Sequence, residues 1–451
     1  MKRRDFMLLA GVAALETGCD RIRPEAVLAA PSKADFTLRI APVSVELAPG
    51  RTIRTIGYNG IAPGPILRMK EGKRISVDVF NDTDIPELVH WHGQFVPPAV
   101  DGAEEEGTPL VPAHGQRRYT FTPRPAGTRW YHTHVMAMEH LDRSTYTGQF
   151  GFLYVEPKKE PGNYDQEIFL AARHWEPSLA HKGPPNNGWE LDYKYCSFND
   201  KSLGAGEPVR VRPGQRVLFR FLNASATEDV RLYLPGHKFK IIAMDGNPVP
   251  TPAEVDVLEL AVAERADAVV EMNQPGVWVL GSIRDEERNT GMGVVVEYAG
   301  QQGEPRWVGQ QRTPWDYTIF GSQADGPKPD ERVELTFKKI PGNRVTFNRW
   351  TINDKLYPDN DPLLVKAGKR YRLVFNNDNG DSHPLHLHRH NFEIRKFGGK
   401  ATAGIIKDIV NVPRMSTAEV DFVADQPGLS LFHCHMQMHM DFGFKMLVKY
   451  T

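Results

Sequence analysis

A cysteine stands between two histidines near the end of the chain, His433-Cys434-His435, and a further histidine follows at His439. Thiolate and imidazole side by side are ligands for a redox-active transition metal. Three His-x-His pairs occur elsewhere, His90/His92, His132/His134 and His386/His388, and His383 lies just ahead of the last. Together these take up ten of the sixteen histidines, far more paired histidine than chance placement gives. Successive side chains of a strand alternate faces, so each pair presents two imidazoles together, to one metal or to two adjacent metals.

His383, Cys434 and His439 supply two imidazoles and one thiolate, the ligand set of a blue-copper electron-transfer site. Zinc would accept the same atoms. It would not explain the histidines flanking Cys434. On a strand His433 and His435 point away from the Cys434 face, toward a second metal group. The backbone between them is then a covalent path from one metal to others, which suits electron flow and not structural zinc.

The elements that must position these residues read as strands. Phe36-Thr37-Leu38-Arg39-Ile40 alternates apolar and polar, as does Arg74-Ile75-Ser76-Val77-Asp78-Val79-Phe80. Such short patterns recur, turn residues are plentiful at 39 Gly and 35 Pro, and long amphipathic helical runs are absent. The fold class expected is all-β, built from sandwiches with Greek-key connections. A loose repeat supports several similar units. Glu71-Gly72-Lys73-Arg74-Ile75 leads to Asn81, Pro213-Gly214-Gln215-Arg216-Val217 leads to Asn223, and Ala367-Gly368-Lys369-Arg370-Tyr371 leads to Asn376. With 451 residues, three units are expected, spanning 31–160, 161–315 and 316–451. The histidine motifs fall in the first and third only.

Formal net charge is -1 with both signs mixed throughout, so nothing points to nucleic acid. Residues 1–30 read as a leader. Arg3 and Arg4 precede a short apolar run, which suggests Tat-type export to the periplasm or medium, and Cys19 after Gly18 is a candidate lipid acceptor. No later segment is apolar for long enough to span a membrane. Beyond the leader only Cys196 and Cys434 remain. With Cys434 on a metal no internal disulfide can form, and Cys196 is expected as a buried free thiol.

His90-Trp91-His92-Gly93, Tyr131-His132-Thr133-His134, His383-Pro384-Leu385-His386-Leu387-His388 and His433-Cys434-His435 with His439 resemble the four copper motifs of a multicopper oxidase of the laccase-like, three-domain kind. Asn59-Gly60-Ile61-Ala62-Pro63-Gly64-Pro65 also resembles that family's first-domain signature. The resemblance implies three cupredoxin-like domains and four copper ions. His383, Cys434 and His439 would hold the type 1 copper, and His90 and His386 the type 2 copper. His92, His132 and His435 would hold one type 3 copper, and His134, His388 and His433 the other. It also implies a catalytic path in which a reductant gives up electrons near a solvent-facing edge of His383, Cys434 passes them through His433 and His435, and O2 is reduced to water. Asp101 corresponds to the acid beside the type 2 copper. Relatives often carry another acid within or just after the segment between the last two histidines. Here that segment is Met436-Gln437-Met438, followed by Met440, which leaves Asp441 or another loop to supply it. Phe444 takes the axial type 1 position and cannot coordinate, which favours a three-coordinate, high-potential site. Met446 is an axial donor only if the register slips by two.

The reductant is open at this level. Phenols and aromatic amines fit the resemblance, with Trp189, Tyr193 and Tyr195 as candidates for an aromatic cleft. Met136, Met138, Met436, Met438 and Met440 raise the alternative of a cuprous-ion oxidase, since thioethers suit Cu(I), or are flexible packing. An interaction protein that had lost catalysis would show broken ligands, and all eleven are intact.

Overall fold

The computed structural model describes residues 33–159, 163–183, 188–309, 315–322 and 326–451. The leader, with Arg3, Arg4 and Cys19, lies outside them. Among the described residues no helix is long and apolar enough to cross a membrane.

Three pairs of facing sheets follow one another along the chain. In the first pair a sheet ordered Arg51–Tyr58, Phe36–Ala48, Ile75–Asn81, Gln116–Phe121 faces one ordered Leu67–Lys70, Phe150–Glu156, Gly127–His132, His90–His92. The second and third pairs repeat this plan with six and five strands. In each, the opening strand runs parallel to a later one: Phe36 beside Val77, Gln166 beside Val217, Glu331 beside Tyr371. The all-β sandwich expectation is met, and the alternation has its physical cause in the cores. Leu38 and Ile40, then Ile75, Val77 and Val79, turn inward while their neighbours face outward.

The repeat works as a turn followed by a strand-end clamp. Gly72, Gly214 and Gly368 have φ of 76°, 79° and 79°, the left-handed turn that glycine adopts without strain. Nine residues on, a buried asparagine amide caps backbone carbonyls. Asn81 donates to Ile85, Val111 and Pro112, and Asn223 donates to Glu228 and Leu260. In the third unit that residue is Asn377, donating to Asp381, Val412 and Pro413. The repeat pattern in the sequence leads to Asn376, one residue before this clamp. Asn376 points the other way, to Glu334 on the outer face, as strand alternation requires.

Candidate metal centre

The histidine pairs sit on matching strands of the first and third sandwiches. His90–His92 pairs antiparallel with Gly127–His132, setting His90 opposite His132. His383–Leu387 pairs with Leu429–Cys434, setting His386 opposite His433. All ten histidines are buried. Their donor atoms gather in sets that include His90/His386/His388, His90/His92/His132, His134/His388/His433 and His383/Cys434/His439, within 4.8 Å in each set.

Hydrogen bonds at the back of the rings decide which nitrogens face inward. A ring nitrogen beside a carbonyl or carboxylate must carry the proton, leaving the other as a lone pair. His90 Nδ1 donates to the Asp101 carbonyl (2.9 Å), His132 Nδ1 to Thr133 (2.7 Å), His386 Nδ1 to Asp408 (2.8 Å) and His433 Nδ1 to Cys434 (2.8 Å). His388 Nδ1 donates to Asp101 Oδ2 (2.8 Å). Their Nε2 atoms therefore converge. His92 is turned round: Nε2 donates to Asp408 Oδ1 at 3.1 Å, and Nδ1 faces His132 Nε2 at 3.4 Å.

The result is a buried cage of lone pairs. His388 and His134 each bring Nε2 toward His433 Nε2, at 3.0 and 3.4 Å. Burial holds His92, His132, His134, His386, His388 and His435 well below the ordinary imidazole range, and His433 at about 3. Nε2 of His90, His386 and His435 is buried without a hydrogen-bond partner. Neutral, oriented and unpartnered imidazoles facing one another are costly without a cation between them, so the residues fit a metal group.

The second site lies one residue away along the same strand. Cys434 Sγ is 3.6 Å from His383 Nδ1 and 3.4 Å from His439 Nδ1, and the two nitrogens are 3.1 Å apart. His383 Nε2 donates to Asn379 Oδ1, so Nδ1 is the lone pair. Burial pushes the Cys434 thiol well above its usual range, and a metal must displace that proton to gain the thiolate. Phe444 stands opposite Cys434, just ahead of the neighbouring strand Lys445–Tyr450, its ring 4.6 Å from that of His383. Met446 pairs with Phe432 instead.

Two expectations need correction here. His383 is fully buried with its outer nitrogen on Asn379, so it offers no solvent-facing edge. His439 does: stacked on Trp350 at 4.0 Å, it lines a cavity of about 170 Å³ with Trp189, Glu190, Glu228, Asp381, Met436 and Met438. The aromatic trio does not form one cleft. Only Trp189 lines this cavity, while Tyr193 bonds Thr227 and Tyr195 lies beneath Arg51. The methionines divide likewise, since Met136 is exposed beside Lys445.

Multicopper oxidase family models match residues 39–160, 128–300 and 327–451. The chain belongs to the multicopper oxidase family. It is 29% identical to Multicopper oxidase MmcO of Mycobacterium tuberculosis, covering 92% of this chain and 86% of that protein. It is 27% identical to a bilirubin oxidase of Albifimbria verrucaria, covering 90% and 74%. The crystal structure of a multi-copper oxidase from Pseudomonas Thermotolerans superimposes with a TM-score of 0.72 at 25% identity, covering 93% and 100%. The protein is an oxidoreductase, and copper is its metal.

Around the clustered histidines of this oxidase lie three acids, two of which the sequence did not single out. Asp101 is bonded to His388 and lies 3.3 Å from His90 Nδ1. Asp441 is not a second acid at the cluster: its carboxylate accepts from the backbone of Ala137 and Met138 and from Gln437, tying a loop down. Glu106 is the acid beside Asp101, with Oε1 3.3 Å from His388 Nδ1. Burial, with Asp101 alongside, raises its pKa well above the usual carboxylate range. In the sequence it was one of three glutamates in an ordinary charged loop. Asp408 holds His92 and accepts both Arg265 amino groups, at 2.7 and 2.5 Å, with Arg129 at 3.2 Å. One carboxylate thus joins residues of all three sandwiches, and Lys407 beside it bridges Asp245 and Glu264. Its only sequence trace is charge inside an apolar stretch, Ile405-Ile406-Lys407-Asp408-Ile409-Val410.

Proposed function

We propose that this oxidase is laccase-like and binds four coppers, coupling one-electron oxidation of phenols or aromatic amines to reduction of O2 to water. His383, Cys434 and His439 would hold the type 1 ion, with Phe444 in the non-ligating axial place. His90 and His386 would hold the type 2 ion. His92, His132 and His435 would hold one type 3 ion, and His134, His388 and His433 the other. Domain boundaries near 160 and 315 go with this reading, as does export through the Tat-type leader, with Cys19 a lipid site. The observation that carries it is the set of inward lone pairs, each fixed by a bond at the opposite side of its ring.

Bound copper supplies the one-electron and four-electron redox chemistry. The chain's residues supply path, orientation and protons. His439 presents its ring to the cavity where a reductant can dock. Cys434 is covalently continuous with His433 and His435, so the two sites share one short through-bond path. Glu106 holds a proton and Asp101 accepts from His388 Nδ1, which sets a donor and an acceptor beside the cluster.

A second reading, oxidation of cuprous ion, draws on Met436 and Met438 lining the His439 cavity with Glu190, Glu228 and Asp381. Oxygen uptake with a phenol, an aromatic diamine and Cu(I), run in parallel with copper quantitation, decides between them. The expectation is four coppers per chain, a blue chromophore and fastest uptake with the organic reductants. One copper per chain and no uptake with any donor would sink both readings. A preference for Cu(I) that disappears in Met436→Leu/Met438→Leu would favour the second.

A further inference from the structure

The middle sandwich holds a second constellation of metal-ligand side chains, far from those of the copper sites in sequence. His174 on Gln166–Lys182 and Cys196 on Gly188–Phe198 are direct cross-strand partners. Facing residues of an antiparallel pair lie on one side of the sheet with Cβ atoms roughly 4.5–5.5 Å apart, which brings thiol and imidazole together. The short helix Asp285–Thr290 packs over this strand and lowers Glu287 onto them, with Oε1 3.7 Å from His174 Nε2. All three residues are buried.

The donors are oriented. Ser225 Oγ lies 2.7 Å from His174 Nδ1, and Ser225 is itself held by the clamp residue Asn223. With Nδ1 engaged, Nε2 points at Glu287 and Cys196, buried and without a hydrogen-bond partner. Ser282 donates to Glu287 Oε2 and Arg284 to Oε1, while Thr290 donates to Cys196 Sγ at 3.4 Å. A hydrogen bond on the far ring nitrogen and on the carboxylate is the usual support of a metal ligand. Donors around a tetrahedral ion of the zinc class stand roughly 3.3–3.6 Å apart, close to the His174–Glu287 spacing.

We propose that His174, Cys196 and Glu287 form an additional metal site in the middle sandwich, taking one borderline-soft divalent ion of the zinc class. A buried nitrogen between a thiol and a carboxylate gathers a cation, and thiolate plus imidazole favour a transition metal over a proton once one is supplied.

The test uses copper-loaded full-length protein, so that Cys434 is already occupied, titrated with cobalt(II). One cobalt per chain is expected, with thiolate-to-cobalt absorption that one equivalent of zinc removes. Cys196→Ser should lose that absorption, and Glu287→Gln should weaken cobalt binding at least tenfold. Copper content and the blue chromophore, which report the copper sites separately, should stay unchanged in both. No cobalt uptake by the wild-type protein, or uptake without a thiolate band, overturns the site. So does equal binding by the variants. If Cys196→Ser does not fold, the zinc competition and Glu287→Gln still decide.

Discussion

The middle sandwich repeats the plan of the outer two, but not their chemistry. Val230–Tyr233 holds the place in its sheet that His90–His92 and His383–Leu387 hold in theirs, and Val277–Ser282 the place of Gly127–His132 and Leu429–Cys434. Where the outer strands carry histidine, the middle ones carry Val230, Leu232 and Leu280, all fully buried. Turn and clamp are common to all three, through Gly72, Gly214 and Gly368 and then Asn81, Asn223 and Asn377. The plan therefore needs the clamp and an apolar interior, and histidine is an addition to it. The addition has a cost, since a cage of neutral imidazoles replaces aliphatic packing and gains stability only when metal fills it.

Copper removal is the largest test of that difference. Stripping the metal with a reductant and chelator should raise hydrogen exchange in His90–His92, Gly127–His132, His383–Leu387 and Leu429–Cys434. The loss of protection there is expected to be on the order of 5 kcal/mol, as for ions bound far below their free concentration. Val230–Tyr233 and Val277–Ser282 should change little. Equal loosening of all three sandwiches would show that the cage is not a local burden.

Next in size is the contact through which the middle sandwich serves the cluster. Arg265 spends both terminal amino groups on Asp408, and all of these atoms are buried. Removing one member of a buried ion pair typically costs about 3–5 kcal/mol, because the other is left uncompensated. Arg265→Met should lower the urea midpoint by that order and also lower copper content. A variant as stable as the wild type would mean Arg129 and Lys407 suffice.

The gathered histidines were legible because spacing alone encodes their pairing: i and i+2 on a strand share a face, so His90/His92 or His433/His435 need no tertiary knowledge to be read as a pair. The repeat was legible for the same local reason, although one residue of register misplaced the third clamp. What escaped depends on contacts between distant segments. Asp408 meets His92 across 316 positions and Glu106 meets His388 across 282, and neither has a local pattern to announce it. The choice of His439 over His383 as the open edge rests on Asn379, a side chain four residues from its target that looks like any loop asparagine.

Behind the metal strands of the first sandwich lies Glu87, buried and bonded to the Thr133 hydroxyl. Burial raises it from 4.5 to about 7. A carboxyl raised on folding adds stability that is fully present below about pH 4.5 and lost as pH rises through about 7. The total is about 3 kcal/mol at most. Glu87→Gln cannot titrate, so its urea midpoint should fall less than that of the wild type between pH 5 and pH 8. Parallel curves would mean that Glu87 is charged throughout.

The smallest effect separates holding sandwiches together from aiming a ligand. Asp408 and Asp267 are both buried carboxylates paired with an arginine and bonded between sandwiches, Asp408 joining all three and Asp267 two. Asp267 accepts from Arg220 and Thr128, and Asp408 from Arg265, Arg129 and His92. Only Asp408 touches a histidine of the cage. It is the reason His92 turns Nδ1 inward where its neighbours turn Nε2. An amide in its place keeps the volume, but it halves the acceptors facing two arginines and can set an N–H against His92 Nε2. Loss of such a support typically costs about 10- to 100-fold in metal affinity or activity. Asp408→Asn should therefore show weaker copper retention and slower oxygen uptake in that range. Asp267→Asn should lose stability yet keep full copper content. If both variants lose copper alike, the carboxylates act only as fasteners between sandwiches, and the orientation of His92 is set by packing.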